Sequence, residues 1–167
     1  MEGYEVEEIL NSMVILVDTR EQPSARAEKR YRGFSAPYRR QKLDFGDYSA
    51  VYRINEEERL LNVAIERKMN LEELSGCFTQ SRDRFEREFE RAKKSGAKMY
   101  LIVENANWEN LINGKYNTKY NPISFFSSIF AWVARYNIIP IFCKAETSGR
   151  IINQILYREL KEVLKNE

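Results

Sequence analysis

Five consecutive apolar residues, Met13–Val17, predict a strand buried on both faces. The run stops at Asp18-Thr19-Arg20-Glu21, a burst of charge of the kind found where a strand meets a loop. Basic and polar positions fill Gln22–Arg32, where a short helix is expected after Pro23. Tyr38–Phe45 and Tyr48–Ile54 read as strands joined at Gly46-Asp47, with Asn55–Arg59 as a charged hairpin turn and Leu60–Lys68 as the third strand of a meander. Asn70 is placed to cap a helix, with Glu73 at its third position and Leu71 and Leu74 on its inner face. A break near Gly76 leads to a longer helix, from about Ser81 to Ser95, with Phe85, Phe89 and Ala92 on one side. Its other faces carry opposite charges four apart, at Arg82–Glu86, Asp83–Arg87, Arg84–Glu88 and Glu90–Lys94, the pattern of an ion-paired solvent face. After Gly96 come an apolar strand, Lys98–Val103, closed by Glu104 and Asn105, and a short helix at Trp108–Ile112. Asn113–Asn121 is a polar, tyrosine-rich loop; Pro122 to about Tyr136 is an apolar helix; Ile138–Cys143 is a strand; Glu146 to about Lys165 is a final helix.

That order predicts an α/β fold, a mixed central β-sheet flanked by helices. The 167 residues suffice for one domain with a real core. It divides into an acidic arm or short helix at 1–12, a core at 13–145 and the C-terminal helix at 146–167. No apolar run approaches the roughly 20 residues of a membrane span and no signal peptide opens the chain, so no membrane association is expected. Cys77 and Cys143 are then free thiols in a reducing, cytoplasmic setting.

Composition narrows the chemistry most through the absence of histidine. Ser-His-Asp and Cys-His catalysis, histidine-dependent nucleases and His-ligated zinc are excluded. Any metal must be held by carboxylates, carbonyls and water, which points to magnesium or manganese. The net charge of +2 does not by itself argue for nucleic acid. Arg26, Lys29, Arg30 and Arg32, then Arg39, Arg40 and Lys42, form local basic clusters that suit either a DNA backbone or a solvated surface. Tyr116 and Tyr120, beside Lys115 and Lys119, suit either stacking on unpaired bases or a polar loop.

The stretch from Leu43 to Lys68 concentrates the candidate chemistry. Residues two apart on a strand share a face, so Glu66 and Lys68 look into one space and Arg67 into the other. Hairpin pairing would bring Asp47, nineteen residues before Glu66, opposite that pair. Two carboxylates and an ammonium around one pocket suit a hard divalent cation and a phosphodiester. An ordinary charged hairpin would carry the same residues. Asp18 and Glu21 would equally serve as loop solvation or a cap, Arg20 and Arg84 as structural partners of carboxylates, and Glu104 as a solvated strand end.

Asp18-Thr19-Arg20-Glu21, Gly46-Asp47-Tyr48 and Glu66-Arg67-Lys68, in that order, resemble the motifs of the ERCC4-type (XPF/Mus81/Hef-like) nuclease domain, a branch of the restriction-endonuclease-like PD-(D/E)XK superfamily. The resemblance extends over most of residues 13–145. It implies a restriction-endonuclease-like fold and a Mg2+- or Mn2+-dependent endonuclease that cuts branched, flap or fork-like DNA in repair, recombination or phage DNA processing. It also implies metal ligation by Asp47, Glu66 and the main-chain carbonyl of Arg67, with Lys68 as the catalytic lysine. Asp18, Arg20 and Glu21 would line the pocket, and Arg84 would match the family's arginine on the following helix. Two positions depart from the pattern: Glu72 stands where the family often has aspartate, and Glu88 where it tends to have glutamine. The chain looks like the compact single-domain form of bacteria and their phages, which places it in the cytoplasm of a bacterial or phage-infected cell. Related domains dimerise, so a homodimer through the two C-terminal helices is expected. The alternative is a non-catalytic DNA-binding or heterodimer-partner module on the same fold.

Overall fold

The computed structural model describes residues 3–166. Helix α1 (Gly3–Asn11) leads into strand β1 (Val14–Val17), and helix α2 (Ala25–Tyr31) follows, capped by Ser24, whose hydroxyl accepts the Ala27 N–H. Strands β2 (Tyr38–Arg40), β3 (Tyr48–Ile54), β4 (Glu57–Leu60) and β5 (Val63–Lys68) come next. Helices α3 (Leu71–Phe78) and α4 (Arg82–Lys94), strand β6 (Lys98–Glu104), helices α5 (Trp108–Ile112) and α6 (Pro122–Tyr136), strand β7 (Ile139–Cys143) and helix α7 (Ala145–Lys165) complete the order.

Among the described residues seven strands form one mixed sheet in the order β2-β1-β3-β5-β6-β7, with β4 paired to β3. β3 runs antiparallel to β1, β4 and β5, whereas β2 pairs with β1, and β6 with β5 and β7, in parallel. One face of the sheet packs Ala64, Met99, Leu101 and Val103 against α3, α4 and α6, through Leu74, Phe78, Phe85, Phe89, Phe125 and Trp132. The opposite face packs Ile15, Val17, Ala50, Ile65 and Ile102 against Ile9 of α1 and Ile152, Leu156 and Leu160 of α7. The alternation along β5 and β6 divides those residues between the two layers. This is the mixed α/β sheet flanked by helices that the element order predicts.

Several boundaries differ from expectation. The strand expected over Tyr38–Phe45 shrinks to Tyr38–Arg40 and pairs in parallel with β1, because the following segment turns inward, with the Leu43 N–H donating to buried Asp18 Oδ1 at 2.8 Å. The turn expected over Asn55–Arg59 is only Asn55-Glu56, both left-handed at φ 50° and 66°. The break expected near Gly76 falls one turn later, at Thr79–Ser81. The α3 start is as the spacing suggests: Asn70 accepts the Glu73 N–H at 2.9 Å while Glu73 accepts that of Met69 at 2.7 Å.

Candidate active site

Gly46 shapes the centre of the site. It has φ +76°, and a Cβ there would meet the Ala64 Cβ at 2.9 Å, so only glycine lets the chain pass this close to β5. The next residue, Asp47, then ties two strands together: its N–H donates to Ile65 O at 2.8 Å and its carbonyl accepts the Asp18 N–H at 2.9 Å. Its carboxylate takes the place of a ladder partner, with Oδ2 accepting the Arg67 N–H at 2.8 Å. Asp47 is thereby held over the end of β5.

On β5 the period of two separates the side chains. Glu66 and Lys68 point into the layer of α3 and α4, where Lys68 Nζ meets Glu66 Oε1 at 2.9 Å and lies 5.4 Å from the centre of the Phe85 ring. Burial raises the Asp47 carboxyl to about 6, with the Arg67 N–H and Lys68 holding it down. Burial and the neighbouring Asp47 charge raise the Glu66 carboxyl well above its ordinary value. Burial opposes the Lys68 charge, but the Glu66 carboxylate outweighs it and the ammonium is held on. Glu66 Oε2 is buried without a hydrogen-bond partner. Two mutually repelling carboxylates with an unsatisfied buried oxygen suit a divalent cation, which needs few protein carboxylates when carbonyls and water complete its shell. Among the described residues no group of three or more carboxylates or thiols converges on one point, so an all-side-chain cage is absent.

Arg67 points into the other layer, where its Nη1 meets Glu104 Oε1 at 2.6 Å. Arg30 completes a buried network, donating to Glu21 Oε1 at 2.5 Å and to the Tyr48 hydroxyl at 3.0 Å, with Nη1 3.8 Å from Glu104 Oε2. Gly149 makes this possible, since a Cβ there would lie 2.0 Å from Arg30 O where α2 crosses α7. Charges this deep are tolerated because each has a partner. A cleft of about 900 Å³ opens over both halves, lined by Asp47, Lys68, Arg67, Glu104, Arg20 and Glu21, with Arg26 and Lys29 of α2 along one side.

The structure thus brings Asp47, Glu66, Lys68, Arg67, Arg20 and Glu21 to one end of the sheet. Asp18 lies beneath them, fully buried, with Oδ1 bonded to the Leu43 N–H and Oδ2 to Arg20 Nε at 2.5 Å. Arg84 is exposed on α4 and does not line the cleft. Of the basic residues expected to touch DNA, Arg26 and Lys29 line the cleft, but Arg30 is buried in its ion pairs and offers no surface charge. Arg39 pairs with Glu58 at 2.5 Å, Arg40 donates to Thr19 O and Glu21 O, and Lys42 is exposed. Tyr116 and Tyr120 pack on Phe125, and Tyr116 donates to Tyr120 O, so the loop uses these rings for its own packing. Glu72 accepts the Asn117 N–H at 2.9 Å and faces that loop. Glu104 and Glu88 are the members that spacing did not place at the site. Glu88 Oε1 accepts the Gly46 N–H at 2.8 Å and lies 3.8 Å from Arg20 Nη2.

This fold is shared. XPF from Aeropyrum pernix superposes with a TM-score of 0.60 at 17% identity, over 92% of this chain and 62% of that one. The same protein in complex with DNA gives a TM-score of 0.58 at 16% identity, over 92% of this chain and 66% of that one. The chain therefore spans somewhat under two thirds of the length of these relatives. No curated protein matches it in sequence. The sequence pattern of the ERCC4 domain matches residues 17–155, a stretch that holds every residue of the site described above. The chain belongs to the ERCC4 domain family.

Proposed function

We propose that this protein is a divalent-metal-dependent endonuclease that hydrolyses phosphodiester bonds in DNA, with branched, flap or fork-like DNA as substrate. The observation that carries the reading is the buried, unpartnered Glu66 Oε2 beside Asp47 and the ion-paired Lys68, two residues that line an open cleft. Asp47, Glu66 and the main-chain carbonyl of Arg67 would hold Mg2+ or Mn2+, which supplies an activated water and neutralises charge on the phosphate oxygens. Lys68, kept protonated by Glu66, donates a hydrogen bond that orients the attacking water and offsets charge at the scissile phosphate. Arg67 is locked by Glu104, which fixes the backbone from which its carbonyl projects. Arg26 and Lys29 hold the incoming backbone by charge.

A second copy of the chain would use the apolar side of α5 and α6, where Ile123 is 77% exposed and Phe130 is 47% exposed. The other helix expected at a dimer face, α7, spends Ile152, Leu156, Leu160 and Leu164 on the sheet. Light scattering during size exclusion tests the dimer.

The test of the activity is cleavage of labelled single-strand, duplex, flap, fork and four-way-junction DNA with magnesium, manganese or chelator. Metal-dependent cutting that Asp47→Asn or Lys68→Ala abolishes supports the assignment, and wild-type turnover by either variant refutes it. Binding without cutting under every condition favours a non-catalytic DNA-binding module.

A further inference from the structure

Spacing along α4 pairs Arg84 with Glu88, Asp83 with Arg87 and Glu90 with Lys94. In the folded chain the glutamates turn elsewhere. Glu88 accepts the Gly46 N–H and faces Arg20, Glu86 lies 3.2 Å from Arg135 of α6, and Glu90 accepts the Tyr136 hydroxyl at 2.7 Å. Each of these partners lies more than forty residues away in sequence, so tertiary packing has drawn these three glutamates from their partners along the helix, while Asp83 stays exposed one turn before Arg87. Arg84, Arg87, Arg91 and Lys94 remain, all exposed, and among the described residues none of the four forms an ion pair.

These four positions recur at i, i+3, i+7 and i+10, which places them within about 80° of arc on one side of the helix. Ten residues at 1.5 Å each carry the stripe about 15 Å. That is the axial rise of about four phosphates of one duplex strand, at roughly 3.4 Å each. Arg91 Nε donates to Asp44 O at 3.0 Å, so the stripe abuts the Gly46-Asp47 turn. A shallow groove of about 650 Å³ runs beside Arg87, Glu90, Arg91, Lys93 and Lys94. The apolar residues of α4, Phe85, Phe89 and Ala92, are all buried. A row of cations without an apolar anchor suits a polyanion better than a protein surface, whose buried centre is built on apolar and aromatic anchors.

We propose that the α4 stripe is a second backbone-binding surface, on which a DNA arm leaving the cleft past the Gly46-Asp47 turn rests its phosphates. It lies on the face of the sheet opposite α2, so DNA engages the protein from both layers. The proposal rests on the reading of the protein as a DNA enzyme.

The test is fluorescence anisotropy with duplex and forked DNA over a salt series, in the Asp47→Asn protein so that nothing is cut. Arg87→Gln/Lys94→Gln is compared with Lys161→Gln/Lys165→Gln, which removes the same charge from the far end of α7. With two cations fewer to neutralise phosphates, the slope of log K against log salt should fall by about 2, and affinity by about tenfold at moderate salt. Unchanged melting temperatures would show that both doubly substituted proteins fold. Equal losses from both pairs, or none from the α4 pair, overturn the stripe while leaving the DNA reading intact. Failure of the protein with an intact stripe to bind DNA even at low salt overturns both.

Discussion

Asp47→Asn should make the metal-free protein more stable at neutral pH while abolishing the proposed cleavage. Asp47, Glu66 and Lys68 share one well, so ionising both carboxyls sets two negative charges against one ammonium. Raising the Asp47 carboxyl from 3.8 to about 6 corresponds to about 3 kcal/mol of penalty on the charged form, at roughly 1.4 kcal/mol per pH unit. The asparagine amide oxygen can still accept the Arg67 N–H, and the value of about 6 already includes the pull of that N–H on the charged form. Glu66 remains as the counterion of Lys68. The net gain is therefore about 3 kcal/mol, or roughly 6–12 °C in melting temperature for a domain of this size.

The sign with pH follows from linkage. A carboxyl whose folded pKa is raised destabilises the fold fully above that pKa and not at all below its unfolded value. The advantage of the variant should be complete above pH about 6, shrink as pH falls, and vanish below about 3.8. Thermal melts in chelator across this range measure it, and added manganese should narrow the gap by stabilising only the wild type. A variant no more stable than wild type at neutral pH, or an advantage that persists at pH 4, would refute the electrostatic account.

Changes at Gly46 and Glu88 probe the supports of the site, and one at Glu56 a turn away from it. Gly46→Ala should cost about 2–3 kcal/mol in denaturant unfolding, because φ is +76° and the added methyl meets Ala64 Cβ at 2.9 Å; a loss below about 0.5 kcal/mol would show that the turn relaxes freely. Glu88→Ala removes the acceptor for the Gly46 N–H and should cost about 1–2 kcal/mol and most of the cleavage, whereas Glu88→Gln keeps Oε1 and should retain most of both; equal damage would assign the role to charge. Far from the site, Glu56→Gly should stabilise by about 0.5–1 kcal/mol and leave cleavage unchanged, since Glu56 holds φ 66° in a two-residue hairpin turn where Asn-Gly is favoured; a lower melting temperature would contradict this.

By itself, the sequence determined the elements and the residue types of the site. Met13–Val17 is apolar throughout because β1 is covered on one face by α1 and α7 and on the other by Leu43 and Val51, and Asn70 with Glu73 spells a helix start because capping is local. Glu66 and Lys68 were legible as one face and Arg67 as the other because a strand alternates whatever surrounds it. What depended on distant elements meeting was decided only in three dimensions. Arg30 reads as one of a basic cluster, yet the crossing of α2 over α7 buries it among Glu21, Tyr48 and Glu104. Tyr38–Phe45 looks long enough for a full strand, but buried Asp18 captures the Leu43 N–H and ends it. On α4, Glu88 is four residues from Arg84, yet it turns to Gly46, forty-two residues away, because a backbone N–H at a tight turn must be satisfied and a surface ion pair is worth little. Local spacing fixes what a helix or strand presents; only packing decides which of those groups find partners and which are left facing solvent.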